Sequence, residues 1–343
     1  MPVQGSIPLA FAGAGWIAAV HGYAITHVPS LRISAVASRD PARAAEAARR
    51  VGAIACRYDE LPAGAHGVVV CTPPAQHAEH VLAAVAAGVG VLVEKPLCTT
   101  LDDADRLVAA AEEGALIAYA ENLVHAPVVQ LAIAHAAQLD GIDVIDVRAV
   151  QPRPTWGDFL TEEWGGGVLF DLGPHPLAIA LLLAAPARPV EVRARLEGAA
   201  DHPVDEHAEV TIQFDTGALA RVVASWRGAE QPVWDAQASS PDGVVRLELL
   251  PHVGLERNGA QVRLPDLPDG IPAALLEMGY LGQLESFAQD LAERRTPELG
   301  PAFGRSVLDL TCAAYASAGQ GGEWVALPFS GPRNCTPHEL WRS

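Results

Sequence analysis

Lysine is almost missing from this chain of 343 residues: of 23 basic residues all but Lys95 are arginine. Basic residues are also outnumbered, 23 against 41 acidic ones, for a net charge of −18. A chain so short of positive charge would be repelled by phosphates, which excludes nucleic acid and anionic membranes as partners. Long apolar runs are lacking too. The longest, Leu177–Ala185, has nine residues, about half of what a membrane span requires. No Lys or Arg precedes Arg32, so the basic region of a signal peptide is missing. Cysteines are few: Cys56, Cys71, Cys98, Cys312 and Cys335 are odd in number and never paired as C-x-x-C. That pattern suits reduced thiols and a cytoplasmic protein rather than a disulfide framework. Repeats and low-complexity tracts are absent. Half of the residues are apolar, which excludes a disordered chain and allows a sizeable core.

The length suits about two domains. Up to residue 122, apolar strand-like runs (7–12, 31–38, 67–71, 90–93, 115–120) alternate with helical stretches (16–26, 41–51, 76–87, 101–113). Such alternation with near-continuous apolar strands predicts a parallel, doubly wound α/β sheet covered on both faces. Beyond residue 140 the pattern changes. A strand over 143–151, a loop rich in Pro and Trp and a long apolar helix near 166–185 precede five strand-like runs between 190 and 250. Polar and apolar residues alternate in several, as in Glu209-Val210-Thr211-Ile212-Gln213-Phe214, which predicts a half-exposed, mostly antiparallel sheet. Helices over 281–294 and 302–318 and a strand at 324–327 follow. The expected division is a first domain over 1–122, an α+β domain over 123–330 and a loose tail over 331–343. The helix at 302–318 is expected to pack back on the first domain.

The single lysine stands out chemically. Arginine is permanently charged, whereas lysine can lose its proton in a desolvated site and act as acid or base. Lys95 lies in Glu94-Lys95-Pro96, directly after an apolar strand. Gly13-Ala14-Gly15-Trp16-Ile17-Ala18 joins the first strand to the first helix as G-x-G-x-x-A. Its first glycine permits the tight turn, and its second lets the backbone approach a pyrophosphate held at the helix N-terminus. At the end of the next strand, where an NAD site usually offers an acidic residue to the ribose 2′-hydroxyl, the chain reads Ser38-Arg39-Asp40. Ser38 and Arg39 suit a 2′-phosphate, so NADP is favoured, and Asp40 one step on keeps NAD open. Thr72 and Pro73 follow the run 67–71 at the carboxyl edge where such sheets bind ligands. Asp171 and His175, four residues apart after Gly165–Gly167, sit about one helical turn apart on one face. They form either a proton-transfer pair or a pair satisfying local backbone groups. Arg153, Trp156 and Trp164 either meet a sugar ring or pack their own loop. His77 and His80 have helical spacing but no third ligand, and no metal is expected. Ser317 lacks the glycine elbow of a hydrolase nucleophile.

The Gly13–Ala18 loop, the Cys71-Thr72-Pro73 segment with His77, the Glu94-Lys95-Pro96 tripeptide and the Gly165–His175 run, in this order, resemble the Gfo/Idh/MocA oxidoreductases over nearly the whole chain. The resemblance implies a Rossmann domain, and a second domain whose open sheet forms the interface of a homodimer or homotetramer. It further implies hydride transfer between NAD(P) and a hydroxyl of a sugar, polyol or cyclitol. Carried onto this chain, Lys95, Asp171 and His175 are the catalytic trio. Gly13, Gly15, Trp16, Ile17, Ser38, Arg39, Thr72, Pro73, His77, Glu94, Lys95 and Asn122 form the cofactor side. The chain departs from the family in three places. Pro174 and Pro176 flank His175 and force the helix to start or kink there. Ala178 stands where many relatives carry Asp, and Asn122–Pro127 lacks an arginine often found before the proline. Two other activities would use the same residues: a lyase or glycosidase with transient substrate oxidation, and a cofactor-sensing protein without catalysis.

Overall fold

The computed structural model describes residues 5–61, 63–155 and 157–343; the Trp156 expectation lies outside them. The chain forms two compact units. One comprises Met1–Cys98, Asp102–Asn122 and Gly279–Arg305, the other Thr99–Leu101, Leu123–Met278 and Ser306–Ser343.

In the first unit the strands β1 (Ile7–Ala12), β2 (Leu31–Ala37), β3 (Ile54–Cys56), β4 (Gly67–Val70), β5 (Gly90–Glu94) and β6 (Ile117–Ala120) alternate with helices. These are α1 (Trp16–Ile25), α2 (Pro41–Val51), α3 (His77–Ala86) and α4 (Leu101–Glu112). All strand pairs are parallel, in the order β3-β2-β1-β4-β5-β6. The order reverses between β1 and β4, and this switch point is where a doubly wound sheet opens a ligand crevice at its carboxyl edge. β4, β5 and β6 are buried along their whole length, which explains their continuous apolar runs. Sequence reasoning missed β3, an edge strand of three residues whose Ile54 and Ala55 are exposed.

The second unit contains α5 (Pro127–Ala136), β7 (Val144–Val150), α6 (Val168–Asp171) and α7 (Pro174–Ala184). The strands β8 (Pro189–Gly198), β9 (Asp205–Phe214), β10 (Leu219–Ser225), β11 (Val233–Ser240), β12 (Gly243–Leu250), β13 (Gly254–Arg257) and β14 (Ala260–Gln261) follow. Next in the chain come α8 (Ala273–Glu277), then α9 (Tyr280–Glu293) and α10 (Pro301–Gly319), of which α9 and the start of α10 belong to the first unit, and last β15 (Val325–Ala326) and α11 (Pro337–Arg342). Its nine strands run in the order β14-β13-β12-β11-β7-β10-β9-β8-β15. Every pair except β7/β10 is antiparallel. The α/β class with a parallel first sheet and a mostly antiparallel second one is therefore as the sequence predicts.

Two expectations are corrected. The long helix over 166–185 is two helices, α6 and α7, broken at Leu172–Gly173, with a bend of 45° between Glu162–Asp171 and α7. Pro174 and Pro176 supply no N–H, so the helix restarts at α7 instead of running through. The segment that joins the first unit from beyond residue 123 is Gly279–Arg305, which carries α9 and the start of α10. The tail over 331–343 is not loose. It ends in α11, capped reciprocally by Thr336 and Glu339, with Pro337, His338 and Leu340 buried. Among the described residues no single helix is long and apolar enough to cross a membrane.

Candidate active site

Gly13 leaves β1 at φ +117°, and a Cβ there would lie 2.5 Å from the Cys71 carbonyl oxygen. Only glycine fits that turn. Gly15 is the N-cap of α1, and a Cβ built on it would meet nothing within 4 Å. No side chain caps the first turn of α1, and no acidic residue lies in it. Open space beside uncapped helix-terminal amides fits a dinucleotide pyrophosphate. Trp16, 59% exposed, and the half-buried Ile17 continue this loop.

At the end of β2 the acidic residue is engaged locally. Asp40 is the N-cap of α2, where its Oδ1 accepts from the backbone N–H of Ala42 (2.8 Å) and Arg43 (3.4 Å). Its own N–H donates to the Ser38 hydroxyl over 3.3 Å. The carboxylate thus serves the helix, while Ser38 and the exposed Arg39 occupy the strand end. Tyr58 lies beside them: burial raises its phenol, and the backbone and charge of Arg39 oppose that rise. The Tyr58 ring in turn packs on His80 at 4.5 Å.

At the ends of β4 and β5, His77 ties two loops together. Its Nε2 faces the Thr72 carbonyl oxygen at 2.7 Å and its Nδ1 the Pro96 carbonyl oxygen at 2.9 Å. With its ring so engaged and 1% of its surface exposed, His77 shapes the site through Thr72-Pro73 and Lys95-Pro96. Burial pushes its pKa down, against the pull of those carbonyls and of the Glu94 charge. The Thr72 hydroxyl is buried with no partner among the described residues, an atom suited to meeting a ligand group. Glu94 is nearly buried, and its two oxygens accept from His21 Nε2 (2.6 Å) and the Lys95 backbone N–H (3.0 Å). Burial alone would raise its carboxyl, but the His21 hydrogen bond and the charges of His21, Lys95 and His77 hold it below its ordinary value. Lys95 itself is half-buried, and Asn122, 7% exposed, follows β6. Every residue expected on the cofactor side, with Lys95, thus lies in the first unit at or just beyond the carboxyl ends of β1, β2, β4, β5 and β6.

Asp171 and His175 belong to the second unit. Asp171 ends α6 and His175 occupies the first turn of α7, both nearly buried. The His175 ring packs on Trp234 at 5.5 Å. Gly173 makes the break possible, since a Cβ there would lie 2.1 Å from the Leu169 carbonyl oxygen. Sequence reasoning missed what anchors this segment. Asp205, on β9, is fully buried; its Oδ1 accepts from the Gly167 N–H (2.9 Å) and the Tyr315 hydroxyl, and its Oδ2 from the Leu169 N–H (2.9 Å). A Cβ on Gly167 would sit 2.1 Å from the Asp205 carbonyl oxygen, which explains the last of the three glycines. The only signal in the sequence was an acidic residue opening a strand, which is common. Of the loop residues, Arg153 is held by Asp201 (2.6 Å) and Glu206 (2.7 Å), and Trp164 packs on Phe159 at 4.6 Å.

Comparison with known proteins agrees with this geometry. The profile of an oxidoreductase family with an NAD-binding Rossmann fold matches residues 7–121, and that of the GFO/IDH/MocA C-terminal domain matches residues 138–239. The chain is 27% identical over 300 residues to D-xylose 1-dehydrogenase (NADP(+)) 2 of Haloferax volcanii, covering 84% of this chain and 90% of that one. It is 31% identical over 273 residues to a dTDP-3,4-didehydro-2,6-dideoxy-alpha-D-glucose 3-reductase of Streptomyces violaceoruber, covering 72% and 76%. Among solved structures, GenD2 from gentamicin A biosynthesis, in complex with NAD, superposes with a TM-score of 0.86 at 27% identity, covering 95% and 97%. Fold, glycine loop and both matched domains together place this chain in the Gfo/Idh/MocA family of NAD(P)-dependent oxidoreductases.

Proposed function

We propose that this protein is an NADP-preferring dehydrogenase or reductase acting on a hydroxyl or carbonyl carbon of a neutral sugar, polyol or cyclitol. The observation that carries this reading is the convergence of the Gly13–Ile17 loop, Thr72-Pro73 and the single lysine on one carboxyl edge of the first sheet. The preference for NADP rests on Asp40, whose carboxylate caps α2 and leaves Ser38 and Arg39 to meet a 2′-phosphate. The net charge of −18 disfavours strongly anionic substrates.

The nicotinamide, when bound, supplies the hydride donor or acceptor. The chain supplies the rest. Lys95 or His175 takes the hydroxyl proton during oxidation and returns it during reduction. Asp171 orients the substrate hydroxyl or the imidazole. Acid–base help of this kind contributes about 10²–10⁴-fold, and positioning the remainder. Lys95→Arg keeps the charge but not the titrating amine. Turnover, followed at the NADPH absorbance with a panel of D-xylose, D-glucose and myo-inositol, should fall about 10²-fold or more, with NADPH affinity changed by no more than about threefold. Full activity in that variant would remove Lys95 from the mechanism.

The five cysteines are all free, which supports a cytoplasmic setting. The broad second sheet supports assembly as a homodimer or homotetramer, which light scattering of the purified protein would read directly.

A further inference from the structure

The interior of α1 holds an imidazole for which hydride transfer gives no role. His21 has no exposed surface, and its Nε2–H donates to Glu94 Oε1 over 2.6 Å. The other oxygen, Glu94 Oε2, accepts the Lys95 backbone N–H over 3.0 Å. A continuous path therefore runs from the helix that begins at the glycine loop, through one buried carboxylate, to the backbone of the chain's only lysine. Tyr280, on α9, closes the ring from its edge at 5.9 Å and 88°. His21 Nδ1 is buried with no partner among the described residues. The donor that Glu94 needs is the Nε2–H, which the imidazolium and the Nε2–H imidazole both carry.

The geometry points to His21 as a positioning residue: by fixing the Glu94 carboxylate it fixes the Lys95 backbone, and so the place from which the lysine reaches its substrate. The inference rests on the role proposed above for Lys95. A carboxylate freed from its helix-borne donor would turn toward other partners and release the Lys95 amide, and displacements of about 1 Å cost up to about 10²-fold in rate.

Because Lys95 is the only lysine, [15N]lysine labelling of the full chain gives a single backbone amide resonance, that of the group bonded to Glu94. In His21→Phe this amide should exchange with solvent about tenfold faster or more, and kcat at saturating NADP+ should fall about ten- to hundredfold. The NADPH dissociation constant should stay within about threefold. His21→Gln, whose amide Nε2 can replace the ring donor, should restore both the exchange rate and kcat. Should His21→Phe fail to fold, Glu94→Gln decides, since its amide sets an oxygen in only one of the two places from which Glu94 meets His21 and Lys95. A folded variant of either kind whose Lys95 amide exchanges as in the wild type overturns the proposal. So does one that loses the bond yet keeps its kcat on the best substrate of the panel. Lys95→Arg separates the two levels: full turnover there sinks the catalytic role, while the amide test on lysine-bearing variants still reports whether His21 holds the backbone.

Discussion

His77 shows how one side chain can organise a site without facing it. Its two ring nitrogens face two carbonyl oxygens, yet burial lowers its pKa below that of a free imidazole. A depressed folded-state value means that the unfolded chain binds the proton more readily. The stabilisation is then complete above the ordinary histidine value of about 6.5 and is lost as the pH falls below it. Urea midpoints at pH 8 and pH 5.5 should therefore differ less in His77→Gln than in the wild type; an unchanged difference would place that pH dependence on other histidines. Glu94 behaves in the same sense at lower pH, because its depressed value adds stability above its ordinary range that is lost on acidification. At this scale the sequence is partly legible. Lys95 is conspicuous because nothing else in the chain is a lysine. His21 is not, because a histidine on an apolar helix face carries no mark of the carboxylate 73 positions away that it meets.

At the scale of elements, the helix pair α6 and α7 depends on a support from another part of the second unit. Asp205 receives two backbone N–H groups and the Tyr315 hydroxyl, and Tyr315 also faces the Gly167 N–H at 3.0 Å. Burial raises the Asp205 carboxyl, and these three donors oppose that rise. Asp205→Asn keeps the volume but turns an amide N–H₂ toward one donor, a mismatch worth about 1–3 kcal/mol of stability. Because the released backbone begins α6, kcat/KM should fall together with stability. Tyr315→Phe, which leaves the carboxylate its two backbone donors, should lose less of both. Denaturant midpoints and steady-state kinetics on both variants test that ordering, and equal losses would contradict it. The parallel strands and their helices could be read from apolar runs and from Pro41, but the break at Leu172–Gly173 could only be bracketed. Two prolines announce that a helix must restart, not where its first segment ends; that end falls just before Gly173, where a Cβ would lie 2.1 Å from the Leu169 carbonyl oxygen.

At the scale of the whole molecule, the change in sequence pattern near residue 122 marks where one unit stops. Nothing local marks the return of Gly279–Arg305 to the first unit. The amphipathic pattern of α9 reports that one face is buried but not against which partner. There Leu291 would lie 2.9 Å from a Cβ at Gly67 and 2.5 Å from one at Gly90, so these two glycines admit the helix and were silent in the sequence. The closing segment follows the same logic. A loop rich in Pro, Gly and Ser ends in a capping box, and α11 packs its buried His338 so that the backbone N–H donates to the Gly165 carbonyl oxygen over 2.9 Å.

The central claim is that the first unit binds a dinucleotide at the Gly13–Ile17 loop and prefers the one bearing a 2′-phosphate. Titration of the purified protein with NADPH and NADH in parallel, followed by tryptophan fluorescence, tests it most directly, since Trp16 lies exposed in that loop. NADPH should quench the emission and bind about tenfold or more tighter than NADH, a difference of about 1.4 kcal/mol. Tighter binding of NADH would overturn the assignment of Ser38, Arg39 and Asp40, and binding of neither would contradict the account as a whole.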